Sequence, residues 1–366
     1  MKNFQINKQI SLLLLLGSIF ACNNPRLSSL KLILEEKLEI PFNGEIYQAL
    51  PVFYDFNLVG DLVVYDHTTD ELQLYNLPEK EIVKKVKIER EGPNGIFSNI
   101  NTAFLHNNQF YVIGNDAFYF LDRNGNMLKK ITFISIIEKL NLDPEKKINS
   151  IRGAWDKTTG EIYFNYSRRN DHEDQFQSLP KFFELVRFDP ISESGELIRI
   201  PTPDGLVKDG QGHYFALTPT LSIANGKVVY MWASFPEVYV YDLKTKNILE
   251  ITCIPDGFLK IPPFPYSNYT KTSPFYFKNG GTSFSKITYD FRNERIYRGH
   301  FNYLNGQLKG GLNLTAISMI GECLELDTPE NSGVSIDIYD SDLHIVQKDI
   351  TDENALRINR YALVKK

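Results

Sequence analysis

Charged side chains gather in one short stretch of the sequence that could do chemistry. Residues 168–174 hold two arginines, a histidine and three acids, including Arg168 and His172. Carboxylates bind Ca²⁺ and a histidine can exchange protons near neutral pH, so the stretch could hold a divalent ion or act in acid–base catalysis. It lacks the glycine turn and alternating ligands of a calcium loop, which favours a solvated charged loop tip.

Aromatic rings and prolines are concentrated in residues 254–281. Tyr266 and Tyr269 lie there among five other Phe and Tyr residues and five prolines. Rigid rings give contact area at little entropic cost, so they could form platforms for a sugar or a peptide. The same rings could equally pack a long loop onto the body of the protein.

Three further polar residues are candidates for ligand binding. Residues 209–214 place His213 and Tyr214 beside two glycines, and Arg152 lies in a predicted innermost strand. Polar groups on such a strand can face a water-filled channel. We therefore expect His213 and Arg152 either to bind a ligand or to make structural hydrogen bonds.

Sequence signatures of common enzymes are missing, so no catalytic residue is assigned. The chain contains no GxSxG, HExxH or P-loop motif, and no GxGxxG follows a strand. No motif indicates a cofactor, although the acids of residues 168–174 are compatible with Ca²⁺ or another divalent ion. Cys253 and Cys323 could form a disulfide in an oxidising compartment or stay buried as free thiols.

The N-terminus has the pattern of an export signal. Lys2 and Lys8 precede an apolar stretch, residues 10–20, that is too short to span a bilayer. The stretch ends in Ala21-Cys22, which resembles the cleavage site of bacterial lipoproteins. We expect residues 1–21 to be a signal peptide, Cys22 to be lipidated and residues 22–29 to be a tether; an uncleaved anchor or a plain secretory signal is the alternative. No acidic cluster follows Cys22, which favours an outer-membrane anchor facing the periplasm.

The rest of the chain repeats one unit. Short runs rich in Val, Ile, Tyr and Phe alternate with turns rich in Asn, Asp and Gly, as is typical of strands. A tight turn followed by the second strand of a unit recurs at intervals of 47 to 68 residues. These second strands begin at Leu62, Phe110, Ile162, Val228, Ile296 and Leu343.

Four strands per unit predict an all-β fold, a six-bladed β-propeller over residues 30–366. The last unit ends after its third strand, residues 356–364. The N-terminal strand, residues 30–40, could supply its fourth strand and close the ring, which would remove an exposed sheet edge. A seven-bladed ring, with a degenerate blade within residues 254–281, and a two-domain β protein are the alternatives.

The chain resembles the Bacteroidota lipoprotein family catalogued as domain of unknown function 4221, whose relatives are six-bladed propeller lipoproteins. The resemblance rests on the Ala21-Cys22 site, the length, the repeat and the Glu91-Gly92-Pro93-Asn94-Gly95 sequence after the first unit. It implies the fold and the envelope location. It implies no activity.

Long connections fall on one face of the predicted propeller, and binding sites are usually built on such loops. We expect a non-catalytic binding or scaffold module for a peptide, a glycan or an envelope protein, attached to the membrane by its lipid. An enzyme with its site at the central channel, such as a metal-assisted hydrolase or lactonase, is the alternative, and an assembly subunit is a third. Lys and Arg total 40 against 45 acids, with net charge −5, so a nucleic acid partner is not expected.

Overall fold

The fold is given by a computed structural model. It describes residues 30–41, 53–56, 61–67, 69–79, 81–92, 94–168, 182–202, 207–208, 211–212, 219–261, 264–265, 280–305, 307–326, 335–339, 342–348 and 355–365. The predicted signal peptide, Cys22 and the tether to residue 29 lie outside the described residues.

Four-stranded antiparallel sheets form most of the described chain. Five of them are each formed by four consecutive strands, and we call these blades 1 to 5. The first strand is β1 (Leu30–Pro41). Blades 1 to 3 contain β2 (Phe53–Phe56), β3 (Asp61–Asp66), β4 (Glu71–Asn76), β5 (Glu81–Lys87), β6 (Ile100–His106), β7 (Gln109–Gly114), β8 (Ala117–Leu121), β9 (Met127–Thr132), β10 (Lys146–Trp155), β11 (Ile162–Arg168), β12 (Phe182–Asp189) and β13 (Ser194–Pro201).

The second half of the chain adds two blades and two other sheets. Between blades 3 and 4 lie β14 (Val207–Lys208) and β15 (Gln211–Gly212). Blades 4 and 5, with β20 between them, contain β16 (Thr220–Ala224), β17 (Lys227–Met231), β18 (Glu237–Asp242), β19 (Ile248–Thr252), β20 (Phe264–Pro265), β21 (Gly281–Asp290), β22 (Arg295–Leu304), β23 (Gln307–Ser318) and β24 (Cys323–Leu326). The last strands are β25 (Ser335–Tyr339), β26 (Asp342–Lys348) and β27 (Ala355–Lys365).

The two ends of the chain meet in a sixth four-stranded sheet, which we call the terminal sheet. Its strand order is β1, β27, β26, β25. β1 runs antiparallel to β27, from Leu30 opposite Lys365 to Pro41 opposite Ala355. The sequence predicted six blades in a closed ring, whereas the structure shows five blades of consecutive strands. We therefore keep the sixth blade and the closure of the ring as a proposal.

Burial changes across each blade, and the sequence pattern changes with it. Every residue of the third strand β8 is buried, because neighbouring blades cover both faces of a central strand. In the outermost strand β9, exposed residues alternate with partly buried ones from Met127 to Lys130. In the outermost strand β19, most residues are exposed to solvent. Central strands are therefore continuous apolar runs, and outer strands alternate or are polar.

Apolar side chains join successive blades face to face. Phe104 of blade 2 stacks on Trp155 of blade 3, with 4.0 Å between the ring centroids. Tyr163 of blade 3 shares a core with Tyr230 and Trp232 of blade 4. Similar cores join blade 1 to blade 2 and blade 4 to blade 5. This side-by-side packing of four-stranded sheets is the arrangement of a β-propeller.

Aspartates shape the tight turns at one end of the blades. Asp122 accepts hydrogen bonds from the backbone N–H groups of Asn124 and Asn126, and Asp242 accepts from Lys244 and Thr245. A carboxylate that binds the amides two to four residues ahead holds the chain in a turn. This explains the aspartates that follow several third strands in the sequence.

A short helix interrupts one connection that the sequence predicted as a loop. The helix α1 (Phe133–Lys139) follows β9, and the Thr132 side chain accepts a hydrogen bond from the N–H of Ser135 at its start. Phe133, Ile136 and Ile137 are buried, at helical spacing. The preceding strand β9 therefore ends at Thr132. In the part of the chain that the structure describes, no helix has the length and apolar character needed to cross a membrane.

Candidate binding face

Connections at the two ends of the blades differ in length, as the sequence predicted. At one end, which we call the long-loop face, blades are linked by residues 88–99, 133–145, 202–219 and 253–280. At the opposite end, the turn face, first and second strands are joined by residues 107–108, 156–161, 225–226 and 291–294. Asn107 and Asn108 both have positive φ, 46° and 64°, which suits a two-residue hairpin.

Two of the long connections are tied together by a small three-stranded sheet. β15 pairs with β14 on one side and with β20 on the other. Gln211 lies opposite Pro265, and Gly212 lies opposite Phe264. The loop between blades 3 and 4 therefore meets the loop between blades 4 and 5 over the long-loop face.

This pairing concerns two sets of residues that the sequence singled out. His213 and Tyr214 directly follow β15, and Tyr266 directly follows β20. The two predicted binding stretches, separate in the sequence, thus start from paired strands. Sequence reasoning placed both on one face but did not predict that they are joined.

The structure describes the backbone of only two of the seven predicted site residues. Arg152 lies in β10, the edge strand of blade 3, and Arg168 ends β11 opposite Lys146. The side chains of both lie outside the described part. The others lie wholly outside the described residues: His172, His213, Tyr214, Tyr266 and Tyr269. A ligand-binding role for all seven stays a prediction.

The Gly92–Gly95 segment is a structural corner of the long-loop face. Gly92 has φ of 85°, and the N–H of Gly95 donates to the Gly92 carbonyl at 3.0 Å. A Cβ at position 95 would lie 2.7 Å from the backbone oxygen of Glu91. The turn therefore needs both glycines.

A buried polar cluster between blades 4 and 5 was not assigned from the sequence. Arg298 and His300 alternate along β22, both fully buried, and they face blade 4 together with Thr315 of β23. The signal was two polar residues, two positions apart, between the apolar residues Ile296 and Phe301 of that strand. Its meaning depended on which blade the strand faces.

Arg298 ties the two blades together. Its guanidinium donates to the carbonyl of Pro236 at 2.5 Å and to that of Cys253 at 2.6 Å. It also lies over the Phe284 ring, 4.1 Å from the centroid, a cation–π contact that is strong when desolvated. Burial lowers the pKa of Arg298, and the nearby Glu237 carboxylate opposes this effect.

His300 lies beside Arg298 as a neutral side chain. Burial, together with the charge of Arg298, lowers the pKa of His300 to about 4. Neither ring nitrogen has a hydrogen-bond partner among the described residues, and Nε2 is 3.8 Å from a Glu325 carboxylate oxygen. The oxygen Oγ1 of Thr315 is also buried without a partner there.

Residues 253–261, which we call the lip, cover this cluster and lead to β20. Cys253 forms a disulfide with Cys323 of β24, so the first of the two sequence alternatives is confirmed. The N–H of Asp256 donates to Glu325 at 3.3 Å, and the N–H of Leu259 donates to Thr282 at 3.0 Å. Blade 5 thus fixes the loop that carries one edge of the three-stranded sheet.

Among the described residues, no group of three or more His, Cys, Asp or Glu side chains is placed to hold a metal ion. The acidic stretch that follows Arg168 lies outside those residues.

Comparisons with known proteins agree with this fold. The family model named "Domain of unknown function (DUF4221)" matches residues 61–306. The chain is similar to a crystal structure of a DUF4221 family member from Bacteroides vulgatus, with 14% identity, a TM-score of 0.71 and coverage of 93% of this chain and 100% of that chain.

A second similar structure is that of a Bacteroides fragilis protein named as exported. It has 12% identity, a TM-score of 0.53 and coverage of 93% of this chain and 96% of that chain. We found no match among curated proteins. At these identities the structural similarities show the fold. The family model spans well over half of the chain, from β3 in blade 1 to the hairpin of blade 5, and the protein therefore belongs to the DUF4221 family.

Proposed function

We propose that this protein is an exported, lipid-anchored β-propeller that binds a peptide, a glycan or a protein partner on its long-loop face, without catalysis. The observation that carries the proposal is the pairing of β15 with β20, which joins two long loops above blades 4 and 5. Rigid scaffolds with long loops on one face commonly bind there.

The residues next to this pairing have the chemistry of a binding site. His213 and Tyr214 follow one strand, and Tyr266 and Tyr269 follow the other. Aromatic rings with a few polar groups are the usual lining of ligand sites, because they supply contact area and orientation together. Arg152, Arg168 and His172 belong to the neighbouring blade 3 and its loop, and we propose them as further contacts.

The terminal sheet, in this proposal, is the sixth blade and closes the ring. β25 contacts β21 of blade 5 and also β2 of blade 1. Tyr361 of β27 shares a core with Tyr297 and Leu314 of blade 5. Contacts on both sides are what a blade between blades 5 and 1 would make. Closure would leave no inter-blade face uncovered.

The proposed location is the cell envelope, with Cys22 lipidated and the domain facing the periplasm. The Ala21-Cys22 sequence supports the anchor. The similar Bacteroides fragilis protein is named as exported, and a disulfide between Cys253 and Cys323 suits an oxidising compartment. Net charge −5 gives no support for a nucleic acid partner.

Binding can be tested on the exported chain with Cys22→Ser, which prevents lipid addition. Thermal unfolding is measured with oligosaccharides, peptidoglycan fragments and peptides. A ligand at about a hundred times its dissociation constant adds about 2.7 kcal/mol to the free energy of unfolding, which raises the midpoint measurably. We expect one class to do so.

Variants locate the bound ligand. Tyr266→Ala with Tyr269→Ala, and His213→Ala with Tyr214→Ala, should each reduce the shift. Ile191→Ala is the matched control, because Ile191 is 64% exposed in a turn of the turn face. A shift that survives both double variants and is lost in Ile191→Ala would place binding on the wrong face and refute the proposal.

A further inference from the structure

The Cys253–Cys323 disulfide joins the outer edges of two blades beside the long-loop face. Cys253 directly follows β19 of blade 4, Cys323 begins β24 of blade 5, and 70 residues separate them. We propose that this disulfide is redox-active: a dithiol reductant opens it, and its opening loosens residues 254–257 of the lip. The link to ligand affinity rests on the proposed function, whereas the redox chemistry does not.

The two sulfurs differ in accessibility, which sets the direction of the reaction. Cys253 is 1% exposed, whereas Cys323 is an exposed residue. An attacking thiolate needs access to the sulfur it attacks. Attack is therefore expected at Cys323, and Cys253 is the leaving group.

The reaction balances as a two-electron exchange. A thiolate of the reductant attacks Sγ of Cys323, the Cys253–Cys323 bond breaks, and Cys253 leaves as a thiolate that takes up a proton. The second thiol of the reductant then attacks the mixed disulfide and releases Cys323 as a thiol. The reductant ends as a disulfide, and the protein has gained two electrons and two protons.

Arg298 favours the first of these steps. Its guanidinium donates to the backbone carbonyl of Cys253 at 2.6 Å, so a positive charge lies beside the backbone of the residue that carries the leaving sulfur. A nearby cation stabilises a thiolate, and a leaving thiol of lower pKa departs faster. The buried arginine thus has a role beyond tying the blades.

Opening the disulfide removes the covalent tie between the lip and blade 5. Cys253 itself stays held, because its carbonyl accepts from Arg298 and its N–H donates to the carbonyl of Pro236. The far end also stays fixed, because Phe258 stacks on Phe284 and Leu259 exchanges two hydrogen bonds with Thr282, the shorter at 2.8 Å. Freedom is therefore gained at residues 254–257, where the tie to blade 5 is the hydrogen bond from Asp256 to the exposed Glu325, at 3.3 Å.

Hydrogen exchange of the oxidised and the dithiothreitol-reduced chain tests the release. Exchange at the amide of Asp256 should rise about tenfold or more on reduction. The amide of Gly125, in a turn of blade 2, is the internal control and should not change. Cys253→Ser with Cys323→Ser should exchange like the reduced protein and ignore dithiothreitol. Equal exchange at Asp256 in both redox states, or two free thiols in the unreduced protein, would overturn the proposal.

Single variants test the direction of attack. Cys253→Ser leaves the thiol of Cys323, and Cys323→Ser leaves that of Cys253. Iodoacetamide should modify the first variant about tenfold or more faster, because only Cys323 is exposed. The reverse order would contradict the assigned leaving group.

Ligand binding separates this inference from the proposed function. A ligand found in the thermal-shift panel should bind the reduced protein more weakly, and equal affinity in both redox states would overturn control of binding by the disulfide. Failure of every ligand, with the exchange result intact, would refute the proposed function and leave the redox-active bond supported.

Discussion

Arg298 shows how a single side chain can set the contact between two blades. A fully buried guanidinium is costly unless its N–H groups are bonded. Arg298 offsets part of that cost with two carbonyls of blade 4 and its lip, at Pro236 and Cys253, and with the ring of Phe284, whereas its Nε has no hydrogen-bond partner among the described residues. Pro236, Cys253 and Phe284 belong to three different segments of the chain, so the Arg298 side chain fixes the positions of these segments relative to one another.

Replacing Arg298 should be strongly destabilising. In Arg298→Ala the carbonyls of Pro236 and Cys253 each lose a charged donor, and we expect the free energy of unfolding to fall by about 2–4 kcal/mol. Arg199→Ala is the control, since the Arg199 side chain is 64% exposed and pairs with Glu184 in a surface contact; it should cost less than about 1 kcal/mol. Urea unfolding measures both, and equal losses would contradict the assigned role.

His300 should make stability depend on pH. Its pKa is about 4 in the folded protein against 6.5 for a free side chain, so the unfolded chain binds the proton more tightly. The stability contributed by neutral His300 is therefore complete above about pH 6.5 and is lost as the pH falls towards 4. Between pH 7 and pH 5 the loss should be about 2 kcal/mol.

His300→Leu isolates this contribution. The variant keeps an apolar side chain at the site and removes the titrating group. Urea unfolding at pH 7 and at pH 5 gives the free energy of unfolding of both proteins. Its decrease from pH 7 to pH 5 should be about 2 kcal/mol smaller in His300→Leu than in the wild type. The same pH dependence in both proteins would show that His300 is not the group responsible.

At the scale of elements, the aspartates that follow third strands stabilise the turns that lead to the outer strands. Asp242 holds the turn between β18 and β19 by accepting from two backbone amides, and these bonds lower the pKa of its carboxyl. Asp242→Ala should reduce the free energy of unfolding by about 1 kcal/mol, because both amides lose their acceptor.

Asp242→Asn is the matched control for that turn. The amide oxygen of asparagine can still accept both hydrogen bonds. The free energy of unfolding should therefore fall less than half as far in Asp242→Asn as in Asp242→Ala. Thermal and urea unfolding measure the difference. A loss as large in Asp242→Asn as in Asp242→Ala would mean that charge, and not hydrogen bonding, holds the turn.

At the scale of the whole molecule, β1 links the start of the chain to its end. It lies at the edge of the terminal sheet and covers the outer side of β27 along its length. Without it, β27 would present a long row of unpaired backbone groups, which promotes association between chains.

Truncation tests this role. A chain that starts at residue 42 lacks β1 and should unfold at a lower temperature and form oligomers in sedimentation experiments. A chain that starts at residue 30 keeps β1 and should behave like the untruncated domain. Monomeric, unchanged behaviour of the shorter chain would contradict a role for β1 in covering β27.

Much of the architecture could be predicted because it is encoded locally. All six second strands begin within one residue of the predicted positions, from β3 at Asp61 to β26 at Asp342, since a tight turn and an apolar run mark each one. The pairing of the two chain ends was also predicted, because the last unit lacked a strand. The helix α1 was missed, since Phe133 to Ile137 continue an apolar strand pattern without a break.

The candidate site was predicted much less completely. Residues near β15 and β20 were named as separate stretches, and their pairing depends on where blades 3, 4 and 5 place their loops. Arg298 and His300 were not assigned a role. The hydrogen-bond acceptors of Arg298 belong to blade 4 and its lip, more than forty residues away along the chain.

By itself, the sequence determined the repeat, the position of the strands within each unit and the face that carries the long loops, because turn residues and apolar periodicity act over a few neighbouring residues. Only the tertiary structure decided that Cys253 pairs with Cys323, that Arg298 joins two blades and that β15 meets β20. Those contacts join segments far apart in the chain, and they exist only once the blades have packed side by side.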